Sequence, residues 1–196
     1  HSRFKNNVML GAVSKNDMGA IELRSASRDN YFYGNQFVSK DPSSEGYMSH
    51  FSNVFCDDAG VDCRGQTGCP MLPCQDRNNI FDTNYFEAGT TAVHNYGDGM
   101  GSQFINNVIV GGVGVDAGYC EAESGGTILY QNNTVYALSG LAFQQESSCG
   151  VVLNSNNFFS TGTKSASQST PPLTGSYNNF WPAFSPTGPT GTVSSN

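Results

Sequence analysis

Gln103-Phe104-Ile105-Asn106-Asn107-Val108-Ile109-Val110-Gly111-Gly112 sets an Asn pair against a run of apolar residues. The pattern returns along the whole chain. Taking as anchor the Asn that precedes the apolar residues, it reads Asn7-Val8-Met9, Asn35-Gln36-Phe37, Asn53-Val54-Phe55, Asn79-Ile80-Phe81, Asn107-Val108-Ile109, Asn133-Thr134-Val135, Asn157-Phe158-Phe159 and Asn179-Phe180-Trp181. The spacings are 28, 18, 26, 28, 26, 24 and 22 residues. A period in the twenties, made of short β-formers with no helical pattern between anchors, predicts a solenoid of stacked coils.

The repeated residue has a physical reason. A coil must turn sharply between strands, and Asn tolerates the left-handed backbone while its amide bonds to backbone nearby. Stacked strands lie about 4.8 Å apart, so each anchor amide is expected to donate to the next and accept from the last, forming an internal Asn ladder. Of the apolar residues that follow, Met9, Phe37, Phe81, Ile109, Val135 and Phe159 are expected to form one inward column.

The units Tyr33-Gly34-Asn35-Gln36-Phe37-Val38, Asp82-Thr83-Asn84-Tyr85-Phe86-Glu87 and Gln131-Asn132-Asn133-Thr134-Val135-Tyr136 resemble the repeats of the right-handed parallel β-helix superfamily of pectate-lyase-like proteins. The likeness runs over about residues 4 to 182. It implies an all-β right-handed parallel β-helix of about eight coils and leaves the activity open. That superfamily holds polysaccharide lyases, hydrolases and epimerases beside phage tailspikes and non-catalytic surface proteins.

The chain has 196 residues and a net charge of -7 with nine Lys plus Arg, which leaves no basic stripe for a phosphate backbone. Nucleic acid is excluded as a partner on that ground. No run of apolar residues is long enough to span a membrane as a helix. One domain over residues 1–182 is expected, with a Cys-rich loop at 56–74 inserted into it. The Pro-, Gly-, Thr- and Ser-rich stretch 183–196 reads as a tail or linker. His1 runs into the first anchor with no polar cap, so a longer parent protein, neighbouring modules or self-association into a filament are the expected context.

Six cysteines, Cys56, Cys63, Cys69, Cys74, Cys120 and Cys149, form an even set. They suggest two disulfides inside the loop and a Cys120–Cys149 bridge, although four loop cysteines permit three pairings. Oxidised cysteines imply an extracellular compartment, secreted or at the cell surface. Zinc at Cys69 and Cys74 lacks neighbouring His. Asp57, Asp58 and Asp62 offer oxygen ligands to calcium, the one cofactor the sequence suggests, against the plainer reading of a solvated acidic loop.

Aligning the second strand of successive coils sets Ala92-Val93-His94-Asn95, Val115-Asp116-Ala117 and Leu141-Ala142-Phe143-Gln144 side by side. Alternation then turns Val93, Val115 and Phe143 inward and His94, Asp116 and Gln144 outward, with Glu22 in a comparable outward place. His94 and Asp116 are therefore the candidate catalytic pair, able to move a proton or grip a sugar hydroxyl. A slip of one residue would reverse every facing. A β-helix lyase also needs a cation or calcium to neutralise a uronate and a base for the proton on the carbon, and Lys15, Arg24, Arg77 and Tyr96 are the available types. The polygalacturonase pattern of paired Asp residues with a Gly-His-Gly segment is absent, since Asp57-Asp58 sits in the Cys loop and His94 is flanked by Val93 and Asn95. Asn132-Asn133-Thr134 is an N-glycosylation acceptor at Asn132, and Tyr31, Tyr33, Tyr85, Tyr130 and Trp181 are among the aromatics that could stack on sugars. The leading expectation is a structural surface module with glycan contacts. The alternative is a lyase-like enzyme acting on acidic polysaccharide.

Overall fold

The computed structural model describes residues 2–11, 20–24, 28–39, 47–50, 78–97, 101–120, 127–145, 150–168 and 173–182. All their regular structure is β, and every strand pairing is parallel. The fold is a parallel β-solenoid with three faces.

The first face is a seven-stranded sheet: β1 (Arg3–Lys5), β4 (Tyr31–Tyr33), β7 (Ile80–Asp82), β9 (Gln103–Ile105), β11 (Thr127–Gln131), β14 (Gly150–Asn154) and β17 (Thr174–Ser176). The second stacks β2 (Val8–Gly11), β5 (Gln36–Ser39), the start of β8 (Tyr85–Gly97), the start of β10 (Val108–Cys120), β12 (Thr134–Ala137), β15 (Asn157–Ser160) and β18 (Asn179–Trp181). The third joins β3 (Ile21–Arg24), β6 (Tyr47–His50), the ends of β8 and β10, β13 (Phe143–Gln145) and β16 (Ala166–Ser167).

Each coil passes from the first face to the second through one residue in the left-handed region, and the next residue is the ladder Asn, buried from Asn35 onward. The corner residues are Asn6, Gly34, Thr83, Asn106, Asn132, Ser155 and Tyr177, with φ between 55° and 64°. This corrects the expected division of labour. The corner residue makes the turn, and the ladder residue is freed to bond along the stack. Gly34 serves at its corner without side-chain strain, and Asn6 Oδ1 of the preceding coil lies where its Cβ would stand.

The ladder runs Asn7, Asn35, Asn84, Asn107, Asn133, Asn156, Asn178. The Nδ2 of each of the first six donates to the Oδ1 of the next at 3.0 to 3.2 Å, and the backbone N–H donates to the same oxygen. From Asn35 onward each Nδ2 also reaches a backbone carbonyl, as from Asn107 to Phe81 O and from Asn133 to Phe104 O. Three expected anchors change place. Asn79 belongs to a second column, in which Asn30 Nδ2 donates to Asn79 Oδ1 and the Asn79 N–H to Ser102 Oγ. Asn157 and Asn179 are exposed strand residues one position past the ladder. Asn35 bonds directly to Asn84, so no rung at Asn53 stands between them, and Asn53 itself lies outside the described residues. Instead of an 18-residue coil at that point, the ladder steps 49 residues.

Two columns of large apolar side chains, one of them aromatic throughout, fill the core. Phe4, Phe32, Phe81, Phe104 and Tyr130 stack along the first face with ring centroids 4.6 to 5.0 Å apart. The inner column of the second face is Met9, Phe37, Phe86, Ile109, Val135, Phe158 and Phe180 in continuous register. Phe81 therefore belongs to the other face, and Phe159 points outward to stack on Tyr136 at 5.0 Å. The slip at Phe159 has the same origin as that at Asn157, because an Asn-Asn pair admits two registers and one residue of shift exchanges in for out.

At the corner between the second and third faces the inner residues are small: Ser39, Ala88, Gly111, Ala137 and Ser160. β8 and β10 run through this corner as continuous strands with a register shift between Gly111 and Val113. A Cβ on Gly112 would lie 2.6 Å from Gly89 O, so the two chains approach there as closely as glycine allows.

Candidate functional site

The site is positioned by the third face. Ile21, Tyr47, Val93, Val115, Phe143 and Ala166 share one register row, and the next row is Glu22, Met48, His94, Asp116, Gln144 and Ser167. Val93, Val115 and Phe143 are fully buried, as their alternation requires. The following row returns to the interior with Leu23, Asn95, Ala117 and Gln145 buried. The expected alignment of His94, Asp116 and Gln144 matches the strand register residue for residue, and Glu22 falls in the same row.

His94 Nε2 lies 3.8 Å from Asp116 Oδ2, with side-chain exposures of 20% and 13%. This is ion-pair distance once the imidazole is protonated, longer than a direct hydrogen bond. Partial burial on an outer face matters, since it weakens solvent screening. Gln144 extends the polar row on the next strand, and Ser167 on the one after. Together the row can hold a hydroxylated ligand along the stack and exchange a proton with it at His94.

Behind this row the interior holds a polar pair that the sequence reading did not find. Asn95 Nδ2 donates to the hydroxyl of Tyr130, which comes from the opposite wall of the coil, and both side chains are buried. Ala117 sits between Asn95 and Gln145 in register. Burial pushes the Tyr130 phenol far above the ordinary tyrosine value; the Asn95 bond lowers it and the negative charge of Asp116 raises it further. The signal in the sequence was Asn95 itself, a polar residue at an inward parity beside His94.

Other candidates fall elsewhere. Arg24 and Tyr96 share a register row with His50, two residues beyond the His94 row. Lys15 and Arg77 lie outside the described residues, as do Asp57, Asp58 and Asp62 of the calcium reading. Among the described residues no group of three His, Cys, Asp or Glu side chains is placed to hold a metal ion. Cys56, Cys63, Cys69, Cys74 and Cys149 also lie outside the described residues, and Cys120 enters only through its backbone, opposite Gly97. Asn132 is exposed at its corner.

The expected sugar-stacking aromatics divide. Tyr130 is core, whereas Trp181 is 69% exposed. Tyr31 and Tyr33 stack on one another at 6.2 Å on the outer first face, where the Tyr31 hydroxyl donates to Asp82 Oδ2 and Lys5 Nζ lies 5.9 Å from the Tyr33 ring centroid. Comparison of the chain with protein-family models, with curated proteins and with solved structures finds no match.

Proposed function

We propose that this β-solenoid acts on an acidic polysaccharide laid along its third face, with His94 and Asp116 as the acid–base pair. The observation that carries the reading is the adjacency of these two groups, partly buried on an outward row that Gln144 and Ser167 prolong. A polysaccharide is a repeating ligand, and a row of polar side chains repeating at the strand spacing suits it. In an elimination, His94 takes the proton on the carbon next to the uronate carboxylate. The bond from the neighbouring carbon to the glycosidic oxygen breaks, a carbon–carbon double bond forms, and the protonated His94 gives its proton to the leaving oxygen. Asp116 orients the imidazole and balances the charge it acquires.

The test is incubation with polygalacturonate, alginate and a glycosaminoglycan, followed by the ultraviolet absorbance of the unsaturated uronate. Activity in the parent chain and its loss in His94→Ala support the reading. Absence of product with all three overturns it.

A second reading is a structural rod in a surface filament with glycan contacts, favoured by the unbroken ladder from Asn7 to Asn178. End-to-end assembly in sedimentation, in a chain inert towards these polysaccharides, is the outcome that selects it.

A further inference from the structure

We infer that Asn132 carries an N-linked oligosaccharide, seated over the outer surface of the second face. Three observations converge on this residue. First, it occupies a left-handed corner at φ 55° and is exposed, so its side chain leaves the solenoid where β11 on the first face gives way to β12 on the second. Second, its amide nitrogen is uncommitted. Two other corner asparagines tie theirs to the neighbouring coil, Asn78 Nδ2 to Asp29 Oδ1 at 3.1 Å and Asn106 Nδ2 to Asp82 Oδ1 at 3.2 Å. Among the described residues Asn132 bonds only through its backbone, its N–H donating to Asn154 O at 3.0 Å.

Third, it is the one Asn in the chain followed by the x-Thr or x-Ser that a glycosylating transferase requires, through Asn133 and Thr134. Its neighbour shows why the modification is compatible with the fold. Asn133 Nδ2 donates to Asn156 Oδ1 at 3.0 Å and to Phe104 O at 2.8 Å, and a sugar on that nitrogen would open the ladder. A sugar on Asn132 breaks no bond.

The reaction is a transfer. The Asn132 Nδ2 displaces a polyprenyl diphosphate from the anomeric carbon of a lipid-linked oligosaccharide, the carbon–oxygen bond breaks, the carbon–nitrogen bond forms, and the nitrogen gives up one proton. Beside the corner, Val108, Tyr136 and Leu138 are exposed at 41%, 45% and 62%. Tyr136 is four residues along the chain, within about 13 Å at the rise of a strand, so the first sugars reach it. The oligosaccharide covers this apolar strip and leaves the third face open.

The inference rests on the extracellular setting of the reading above but not on its chemistry. The experiment supplies the secretory route itself, so the two fail separately. The full chain is secreted from a eukaryotic host behind an added leader and weighed intact before and after peptide-N-glycosidase F. The expected result is an oligosaccharide mass removed by the enzyme, with Asp found at position 132 in the deglycosylated peptide. Asn132→Gln and Thr134→Ala lose that mass, and Thr134→Ser keeps it. A secreted chain with unmodified Asn132 overturns the inference. Hydroxyl-radical labelling then tests the seating: weaker labelling of Tyr136 and Leu138 in the glycosylated chain, with Tyr33 unchanged, is expected, and equal labelling of both forms overturns the covered strip.

Discussion

Asn35 Nδ2 donates to Asn84 Oδ1 at 3.0 Å across 49 residues of chain, and that bond carries the ladder past everything between them. The stack is continuous in space where it is interrupted in sequence. The coils on either side of that 49-residue step meet through the same backbone and amide bonds as any adjacent pair. Loop-closure entropy grows only slowly with loop length.

The ladder assignment makes two asparagines of nearly identical sequence setting behave differently. Asn133→Ala removes the acceptor for Asn107 and two donor bonds in a fully buried place, and is expected to cost about 3–5 kcal/mol. Asn157→Ala, at an exposed strand position, is expected to stay within about 0.5 kcal/mol. Denaturant midpoints of the two variants at unchanged slope decide the matter. Equal losses would mean that the register of β15 is wrong.

The Phe81 ring lies 4.6 Å from Phe32 and 4.8 Å from Phe104, in the middle of the aromatic column and fully buried. Phe81→Ala should lower stability by about 3–5 kcal/mol, because close neighbours on both sides cannot collapse into the cavity. Tyr136→Ala, on the outer surface, should cost less than about 1 kcal/mol. Thermal unfolding of the pair gives the contrast.

Thr83 is β-branched and sits at φ 58°, a corner its neighbours fill with Asn or Gly. Replacing it with Asn should raise stability by about 0.5–1 kcal/mol, since the left-handed region penalises a branched Cβ most. The exposed Thr83 Oγ1 bond to Asp82 Oδ1 is the small loss on the other side. No gain in the urea midpoint would show that this bond outweighs the backbone strain.

The buried Tyr130 phenol gives an alkaline signature. Its folded-state value is raised above the unfolded one by burial, so the folded chain holds the proton more tightly. The associated stability is present below about pH 10 and is lost as pH rises above it, where the unfolded phenol ionises first. Tyr130→Phe should flatten this part of the stability curve, at the cost of leaving the Asn95 amide without its acceptor. Urea titrations at a series of alkaline pH values, with parent and variant side by side, measure the difference in slope.

His94→Ala and Asp116→Asn should each lower turnover of an acidic polysaccharide by about 10²–10⁴-fold, the range for a lost acid–base group. Combining them should cost little more than either alone, because the pair works as a unit. Additive losses in initial rates would separate the roles of the two residues.

The corner position shows what repetition alone can and cannot specify. Asn-x-apolar spacing announces a stacked coil, and strict alternation around Val93, Val115 and Phe143 places His94, Asp116 and Gln144 on one outward row, as the strand register does. The parity is fixed because a buried apolar residue, Val93, Val115 or Phe143, immediately precedes the outward polar one in each of these strands. Asn156-Asn157 and Asn178-Asn179 gave no such fix. Both members of each pair are the same residue, and only the buried Nδ2 donor of the preceding coil, bonded to the Oδ1 of the first member, selects it. Asn78-Asn79 deceived for another reason, since the coil has two left-handed corners of the same local chemistry and a sequence does not say which one it is passing.

The sequence by itself determined that the chain is a β-solenoid, because period, parity and turn chemistry are local properties written residue by residue. Tertiary structure decided which asparagines bond to one another, which aromatics share a column, that Tyr130 meets Asn95 across the interior, and that His94 stands 3.8 Å from Asp116. Those are distances between residues from different coils, and they are fixed only when strands pair in one register and the core closes between them.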